Sequence, residues 1–175
     1  MFNDTSTPLS LLTTRRSGKP RDLVAPGPSP EQLEQMIAIA ARTPDHGKLA
    51  PWRFVIVDDR AALATLITDA YRAERPQAAR TEIESLEQFA HQAPALVVVL
   101  SSPSTTSHIP RWEQELSAGA ATMNLLHAAH AMGFAGGWLT GWPTFSDVVR
   151  DAFGGPHERI AGFVFLGTPG RPLDE

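Results

Sequence analysis

Basic and hydroxyl side chains are concentrated in a short segment near the N-terminus. Arg15, Arg16 and Ser17 are consecutive, and Lys19 and Arg21 follow closely. An arginine guanidinium presents a planar fork of N–H donors that suits a phosphate, and a neighbouring hydroxyl adds another donor. The segment therefore indicates a clamp for a phosphate or a polyol chain, although a solvated basic turn would contain the same residue types.

A second candidate is the loop Arg42–Trp52, which joins a predicted helix to a predicted strand. It contains two prolines, one glycine and three potential cations. A loop of this kind can hold polar side chains against a planar ligand. His46 is its candidate hydrogen-bond donor or general acid, because an imidazole changes charge near neutral pH. The alternative is a capped helix end that happens to carry a histidine.

The third candidate is the glycine-rich stretch Gly136–Gly141, which precedes a predicted helix. Glycines allow backbone amides to approach a ligand closely. The stretch does not match the dinucleotide-binding fingerprint, because Gly133, Gly136 and Gly137 have the wrong spacing. Taken alone, it is weak support for a binding site.

Other catalytic constellations are incomplete in this sequence. The chain has no cysteine, which excludes thiolate chemistry and disulfides, and no G-x-S-x-G elbow. His127 and His130 are three residues apart on a predicted helix, but no third metal ligand is evident, which favours one core and one surface histidine. Glu113 and Glu115 point to different helix faces, and they are interpreted as helix N-terminal charges rather than as an acid/base pair. A bound cofactor that supplies the chemistry would explain why no catalytic dyad is visible.

The composition is that of an ordinary globular protein. The 175 residues are 42% hydrophobic and 19% charged, with a formal net charge of -4. This length predicts a single domain over residues 1–175, and the charge gives no support for a nucleic-acid partner. The N-terminus is polar, and the longest apolar run, Ala95–Leu100, is too short to span a membrane. A cytoplasmic protein without membrane association is expected.

Helical and strand patterns alternate along the chain. Helices are predicted over Thr7–Thr14, from Pro30 to before Pro44, and over Arg60–Tyr71, Ala79–His91, Arg111–Met132 and Phe145–Phe153; strands are predicted over Trp52–Asp58, Ala95–Leu100, Ala135–Leu139 and Ile160–Leu166. The continuous apolar run at Ala95 indicates a strand buried on both faces. In the longest helix, Leu116, Ala120 and Met123 mark the expected buried stripe. The order predicts a layered α+β or α/β domain with a central mixed sheet.

Several segments occur together in an order typical of one protein family. They are Leu11–Ser17, Ala41–His46, Pro51–Phe54, Pro110–Ala120, Gly133–Trp138 and Phe165–Pro169. No single segment is specific, but their combination over nearly the whole chain resembles the nitroreductase family.

The resemblance implies an α+β nitroreductase-like fold, a three-layer α/β/α sandwich with a central mixed sheet. It also implies an intertwined homodimer that binds FMN at the subunit interface, with residues from both subunits. The flavin-contacting positions implied are Arg15, Arg16 and Ser17 at the phosphate and ribityl end, Arg42, His46 and Leu49 from the other subunit, Trp138, Leu139 and Thr140 beside the ring, and Arg171 as a further phosphate contact.

The resemblance further implies hydride transfer from NAD(P)H through the flavin to a nitroaromatic, a quinone or another electrophilic acceptor. No side chain is then required as a nucleophile, and His46 is the one candidate proton donor. An FMN-binding carrier or sensor without efficient turnover is the alternative of another class. A structural protein whose loops bind no flavin is the third possibility.

Overall fold

The computed structural model describes residues 2–172. Its helices are α1 Pro8–Thr14, α2 Pro30–Ala40, α3 Arg60–Glu74, α4 Arg80–His91, α5 Arg111–Ala131, α6 Trp142–Phe145 and α7 Asp147–Phe153, and its strands are β1 Leu23–Val24, β2 Trp52–Ile56, β3 Ala95–Ser101, β4 Ala135–Leu139 and β5 Arg159–Pro169. Strand β1 was not predicted, and β5 is longer than expected. The helix expected over Phe145–Phe153 is α7, which Ser146 caps, and the short helix α6 before it was not predicted.

The first two helices begin where their sequence signals predict. The side chain of Thr7 accepts a hydrogen bond from the backbone N–H of Ser10. Ser29 and Gln32 form a reciprocal capping box at the start of α2. Each cap satisfies backbone donors that the first helical turn leaves unpaired, and α1 thereby presents the Arg15 segment at a defined point.

The sheet has the order β1-β5-β3-β2, and β4 also pairs with β5. The prediction of a mixed sheet is wrong, because the four strand pairings within residues 2–172 are all antiparallel. Strands β3 and β4 are joined by one helix and run in the same direction, as a mixed sheet requires. However, β5 lies between them and is antiparallel to both. The predicted α+β class is confirmed.

The three-layer arrangement follows from the two faces of β3, all seven residues of which are buried. Ala95, Val97 and Val99 belong to a core cluster with residues of α2 and α5. The alternate residues Leu96 and Val98 belong to the cluster with α3 and α4. Helices therefore cover both faces of the central strand, as its unbroken apolar sequence predicts.

The buried face of α5 differs from the predicted one. Leu116 is 63% exposed, and Ala120 is exposed as well. Ala118, Ala121 and Leu125 are fully buried instead. Small alanine side chains allow the helix to approach the sheet closely, whereas the apolar residues on its opposite side face outward. Among the described residues, no helix is long and apolar enough to cross a membrane.

Candidate functional site

The segment Arg15–Gly18 leaves α1 and is fixed by two neighbouring elements. The backbone N–H of Gly18 donates to the carbonyl oxygen of Gly136 in β4 at 3.0 Å. On the other side, the carbonyl oxygen of Arg16 lies 3.1 Å from Nε2 of His130 in α5. The backbone of the predicted phosphate clamp is therefore held by β4 and α5, and only its side chains remain adjustable.

The side chains of this segment take different directions. Nη1 of Arg15 donates to the hydroxyl of Ser17 at 3.3 Å. The guanidinium carbon of Arg16 lies 5.7 Å from the centre of the Phe2 ring, a cation–π distance. Arg15 and Ser17 thus form a pair of donors, whereas Arg16 is engaged with the N-terminal residues of the chain.

Glycine is required at position 137 of β4 for this approach. A Cβ atom at Gly137 would lie 2.6 Å from the carbonyl oxygen of Gly18. A Cβ atom at Gly136 would instead meet the core, at 2.7 Å from a methyl group of Leu166. The glycine-rich stretch was expected to let its amides approach a ligand. In the structure, Gly137 allows the Arg15–Gly18 segment to lie against β4, and Gly136 makes room for core side chains.

The segment and β4 together enclose a cavity of about 450 Å³. Its lining residues are Ser17, Gly18, Lys19, Pro20, Arg21, Gln92, Gly137, Trp138 and Leu139. Three predicted positions, Ser17, Trp138 and Leu139, are therefore brought together although about 120 residues separate them in the chain. Gln92 was missed, since nothing in its sequence surroundings marks the end of α4 as part of a site.

The indole of Trp138 forms one wall beside this cavity. Its Nε1 donates to the carbonyl oxygen of Ala161 at 3.0 Å. The ring lies over Gly162, where a Cβ atom would approach Nε1 to 2.0 Å. The hydrogen bond and the missing side chain hold the indole flat against β5, so that a half-exposed aromatic surface remains.

Two histidines of α5 lie behind the Arg15 segment. His130 is fully buried, and its ring nitrogens face the carbonyl oxygens of Leu126 (2.7 Å) and Arg16 (3.1 Å). Burial lowers the pKa of His130, and the charge of Arg15 lowers it further. Burial and Arg15 also lower the pKa of His127. The expected combination of a core and a more exposed histidine agrees with this arrangement, and no metal-binding cluster occurs within residues 2–172.

His127 contains a buried polar atom without a partner. Its Nδ1 has no hydrogen bond within the described part of the chain. An unpaired buried nitrogen usually costs stability unless a ligand or water satisfies it. Since the neighbouring Arg15 is cationic, an anion or a hydroxyl bound at this segment would suit both groups.

Arg171 lies on the far side of the same segment. Its guanidinium forms an ion pair with Asp22, and it lines a small crevice with Ser17 and Lys19. The structure therefore brings Arg171 near the predicted phosphate clamp. Its charge is partly neutralised by Asp22, which the sequence did not indicate as its partner.

The loop between α2 and β2 has its own local order. Oδ2 of Asp45 accepts hydrogen bonds from the backbone N–H groups of Leu49 (2.5 Å) and Ala50 (3.0 Å). Gly47, Lys48 and Ala50 have φ values of 78°, 54° and 48°. Left-handed backbone at non-glycine residues is unfavourable and is often retained at functional sites.

Arg42, His46 and Leu49 are not brought to the cavity beside Ser17. Nδ1 of His46 lies 2.8 Å from a carboxylate oxygen of Glu113, and the His46 side chain is 63% exposed. The guanidinium of Arg42 has no hydrogen-bond or ion-pair partner among residues 2–172. Glu113, which the sequence suggested only as a helix N-terminal charge, is thus the group that orients His46.

Thr140 faces a different space from its neighbours Trp138 and Leu139. It lines a second cavity of about 620 Å³ together with Arg111 and residues of α6 and α7. The end of β4 therefore separates two cavities, one beside Ser17 and one beside Arg111.

The first cavity suits the phosphate and polyol end of a cofactor. Its volume lies within the range of roughly 300–1,000 Å³ that is typical of ligand pockets. Ser17, Lys19 and Arg21 supply hydroxyl and cationic donors, and Trp138 supplies an aromatic surface. None of the lining side chains is a nucleophile with an adjacent base, so the arrangement can bind and orient a reactive group but does not supply one.

Comparisons with known proteins identify the family to which the chain belongs. A family model described as the nitroreductase family matches residues 12–168. The chain is 39% identical over 164 residues to a Haemophilus influenzae protein named "Putative NAD(P)H nitroreductase", with 91% of this chain and 87% of the relative covered. It is 38% identical over 165 residues to the Escherichia coli protein YdjA, which bears the same name, with 92% and 87% covered.

A solved structure shares the fold at lower identity. It is a Desulfovibrio desulfuricans protein in complex with FMN, described as a "putative nitroreductase". The TM-score is 0.70 at 19% identity, with 95% of this chain and 88% of the other covered. The resemblance inferred from the ordered sequence segments is confirmed, and the chain belongs to the nitroreductase family.

Proposed function

We propose that this chain is one subunit of an FMN-dependent oxidoreductase that uses NAD(P)H. The observation that carries the proposal is the cavity between the Arg15–Gly18 segment and β4, which unites Ser17, Trp138 and Leu139. The FMN complex of the Desulfovibrio desulfuricans structure supports the choice of cofactor. When bound, FMN would accept a hydride from NAD(P)H and pass it to a nitroaromatic, a quinone or another electrophilic acceptor.

The proposed roles of the chain are to bind, orient and polarise. Arg15, Arg16, Ser17 and Arg171 would hold the phosphate and ribityl end. Trp138, Leu139 and Thr140 would lie beside the ring, and the cations nearby would stabilise negative charge that develops during reduction. The backbone hydrogen bonds of the segment to β4 and α5 reduce the entropy lost when the cofactor binds.

A homodimer is part of the proposal, because the chain alone assembles only half of the predicted contacts. Arg42, His46 and Leu49 lie outside the cavity beside Ser17, and we infer that they contribute to the cavity of a partner subunit. Exposed apolar side chains provide surface for that contact. The largest on α1 and α5 are Leu9, Leu12, Trp112 and Leu116, which are 61–71% exposed.

His46 is proposed to hold or donate a proton at the ring of the bound cofactor. A carboxylate oxygen of Glu113 accepts from Nδ1 of His46 at 2.8 Å, so Glu113 fixes the orientation of the imidazole. Nε2 would then be the atom that faces a ligand. These roles do not depend on which acceptor is used or on whether the donor is NADH or NADPH. A cytoplasmic location stays a prediction from the sequence.

The proposal is tested by purifying the protein and recording its visible spectrum. We expect flavin absorption bands, with a cofactor that is released on denaturation and identified as FMN. A colourless protein that acquires no bands with added FMN would overturn the proposal. Steady-state oxidation of NADH or NADPH with a nitroaromatic then separates an enzyme from an FMN carrier, since a carrier would be flavin-loaded without turnover.

Two variants connect the spectrum to the site. Arg15→Gln removes a charged donor of the clamp, and we expect FMN to dissociate about tenfold more readily, the usual effect of losing one charge-assisted hydrogen bond. Arg16→Ala should also weaken retention. Arg80→Gln removes an exposed charge on α4 that pairs with Glu84 and should leave retention unchanged. Equal retention in all three variants would remove the segment from the site.

A further inference from the structure

The second cavity shares only Thr140 with the flavin contacts proposed above. It lies where β4 ends and has a volume of about 620 Å³. Its walls include Arg111, Thr140, Thr144, Phe145, Arg159 and Ala161. Thr140 lines this cavity and directly follows Leu139, which lines the first one, so the two cavities lie on either side of the end of β4.

The acidic groups of this cavity are already neutralised. Glu158 is 3% exposed, and its two oxygens accept from Nη1 of Arg53 at 3.0 and 2.9 Å and from the N–H of Gly155 at 2.7 Å. Asp147 pairs with Arg150. Burial opposes ionisation of Glu158, but its hydrogen bonds keep the pKa below the usual value. Neither carboxylate is therefore left to neutralise another cation.

Two hydrogen-bonding groups of the cavity, the exposed guanidinium of Arg159 and a buried hydroxyl, make no hydrogen bond or ion pair within residues 2–172. The guanidinium of Arg159 has no hydrogen-bond or ion-pair partner in the described part of the chain. The hydroxyl oxygen of Thr144 is buried and also lacks a partner there. Arg111, by contrast, is engaged by Glu115 at 2.8 Å. One free guanidinium and one unpaired hydroxyl therefore line the same cavity, and both suit an anionic oxygen.

An aromatic surface completes the arrangement. The ring of Phe145 is 78% exposed and lines the cavity beside Thr144. Such an exposure is high for a phenylalanine, and a planar ligand would cover apolar area there.

We propose that this cavity binds the anionic group of an aromatic substrate, with Arg159 and Thr144 as ligands and Phe145 against the ring. The inference rests on the proposed function, since it adds a specificity determinant to that oxidoreductase. The anionic group is a carboxylate on the acceptor or the additional phosphate of NADPH. The shared chemistry is an oxyanion in a molecule that also contains an aromatic ring: the carboxylate of an aromatic acid is bonded to the ring, whereas the additional phosphate of NADPH is an ester of the ribose beside adenine. The two sources can be tested separately.

The test compares matched substrate pairs that differ in one negative charge. In one arm kcat/KM is measured for 4-nitrobenzoate and for 4-nitrobenzamide, and in the other for NADPH and for NADH. Arg159→Gln should lower the anionic-to-neutral ratio about tenfold in one of the two arms, because it removes one charge-assisted interaction. The arm that responds identifies the source of the oxyanion. Ratios unchanged in both arms would overturn the inference.

Thr144→Val separates ligand binding from folding. The substitution keeps the side-chain shape and removes an unpaired buried hydroxyl, so the melting temperature should be equal or higher. The same variant should nevertheless lower the ratio that Arg159→Gln lowers, by a smaller factor. Arg80→Gln, the control for a lost surface charge, should change neither ratio. A Thr144→Val protein with the wild-type ratio would contradict the assignment of that hydroxyl and with it the proposed pair of ligands.

Calorimetric titration distinguishes a failure of this inference from a failure of the proposed function. 4-Nitrobenzoate and 4-nitrobenzamide are titrated into wild type and Arg159→Gln, and the flavin content of the same samples is read from their spectra. A preference for the carboxylate that Arg159→Gln removes supports the site even in a sample without flavin, in which case only the proposed function fails. Flavin-loaded protein that binds both probes equally overturns the anion site and leaves the proposed function intact.

Discussion

The two sets of predicted flavin contacts are held in opposite ways. Ser17, Trp138 and Leu139, here called the inner set, share one cavity that is built by close approach of the backbone at Gly18 and β4. Arg42, His46 and Leu49, here called the loop set, lie in or beside a loop whose backbone is partly left-handed. That loop is held by short-range hydrogen bonds to Asp45 and by the contact of His46 with Glu113. The inner set is part of the domain's packing, whereas the loop set is displayed at the surface.

This difference indicates which half of a site one chain can build. The inner set needs no further protein atoms to define its cavity. The loop set includes an arginine that has no partner among residues 2–172 and a largely exposed histidine, and both side chains are accessible to another molecule. A second subunit would place one set opposite the other, so disruption of packing should affect the inner set and disruption of assembly should affect the loop set.

The largest effect is expected from Gly137→Ala in the inner set. The added Cβ would lie 2.6 Å from the carbonyl oxygen of Gly18 and 3.0 Å from the ring of Pro20. Because a backbone atom is in the way, the Arg15–Gly18 segment must shift. We expect a loss of about 1–3 kcal/mol in the free energy of unfolding and at least about tenfold weaker FMN retention, measured by denaturant unfolding and by ultrafiltration.

Gly119→Ala is the matched control for that variant. Gly119 lies in α5, and no atom lies within 4 Å of the Cβ it would gain. Alanine is favoured over glycine inside a helix by about 1 kcal/mol, so this variant should be slightly more stable. If Gly137→Ala behaved like Gly119→Ala, the close approach of the segment to β4 would not define the inner set.

The local features of the fold could be predicted from the sequence, and the long-range ones could not. Ser29 and Gln32 are three residues apart and predict a capping box. The unbroken apolar composition of Ala95–Leu100 predicts a buried strand. The contact of Gly18 with β4 joins positions more than 100 residues apart, and no local pattern records it. The stripe at Leu116 was misassigned because an alanine-rich helix is apolar on several sides, and only packing selects the buried one.

The same reasoning applies to the candidate site. Arg15 and Ser17 were identifiable because adjacent cationic and hydroxyl donors have few structural uses. Glu113 was identified only as a helix-terminal charge, since its pairing with His46 depends on how a loop returns to α5. The insertion of β5 between β3 and β4 is likewise a topological fact, and it is why the direction of the strands was predicted wrongly.

The second prediction concerns assembly and the loop set. Leu116→Asp places a charge on the exposed face of α5, where the side chain is 63% exposed in the single chain. If this face lies in the dimer interface, burying a carboxylate there should raise the dimer dissociation constant at least about tenfold. Sedimentation equilibrium measures that constant, and FMN retention should fall with it because the loop set of the partner is lost.

Val148→Asp provides the comparison for Leu116→Asp. Val148 is 58% exposed but lies on α7, so the same charge should leave the dimer unchanged. A monomeric wild-type protein that retains FMN fully would contradict the division between the two sets, since the loop set would then have no partner to serve.

A third, smaller effect is expected from pH, and it should originate in His130, which contacts the Arg16 carbonyl behind the inner set. Burial and the charge of Arg15 lower the pKa of His130, against the hydrogen bonds to Leu126 and Arg16, which raise it. The unfolded chain therefore binds a proton more readily than the folded one. The contribution of His130 to the free energy of unfolding should be fully present above about pH 6.5. It should fall as the pH drops below that value, by at most about 1.4 kcal/mol per pH unit.

Substitution of His130 tests the source of that dependence. His130→Gln retains a side-chain donor toward the Arg16 carbonyl but cannot titrate, so the curve of unfolding free energy against pH should become flatter below pH 6.5. His127, whose pKa is lowered in the same direction, should account for part of the remaining slope. If the slope of unfolding free energy against pH were unchanged in His130→Gln, the acid sensitivity would originate in groups other than His130.

The smallest effect is expected from Lys48→Gly, which relieves backbone strain in the loop set. Lys48 has a φ of 54°, a conformation that costs a residue with a Cβ about 1 kcal/mol or more. Glycine removes that cost but adds about 0.5–1 kcal/mol of chain entropy to the unfolded state, so the net gain in stability should stay below about 1 kcal/mol.

The informative measurement is therefore kcat/KM at full FMN loading. If the strained backbone serves to aim His46, a more mobile loop should lower kcat/KM several-fold while stability is equal or higher. Ala50→Gly, at a φ of 48°, should behave in the same way. Unchanged turnover in both variants would show that the shape of this loop serves packing alone, and the loop set would then lose its place in the proposed site.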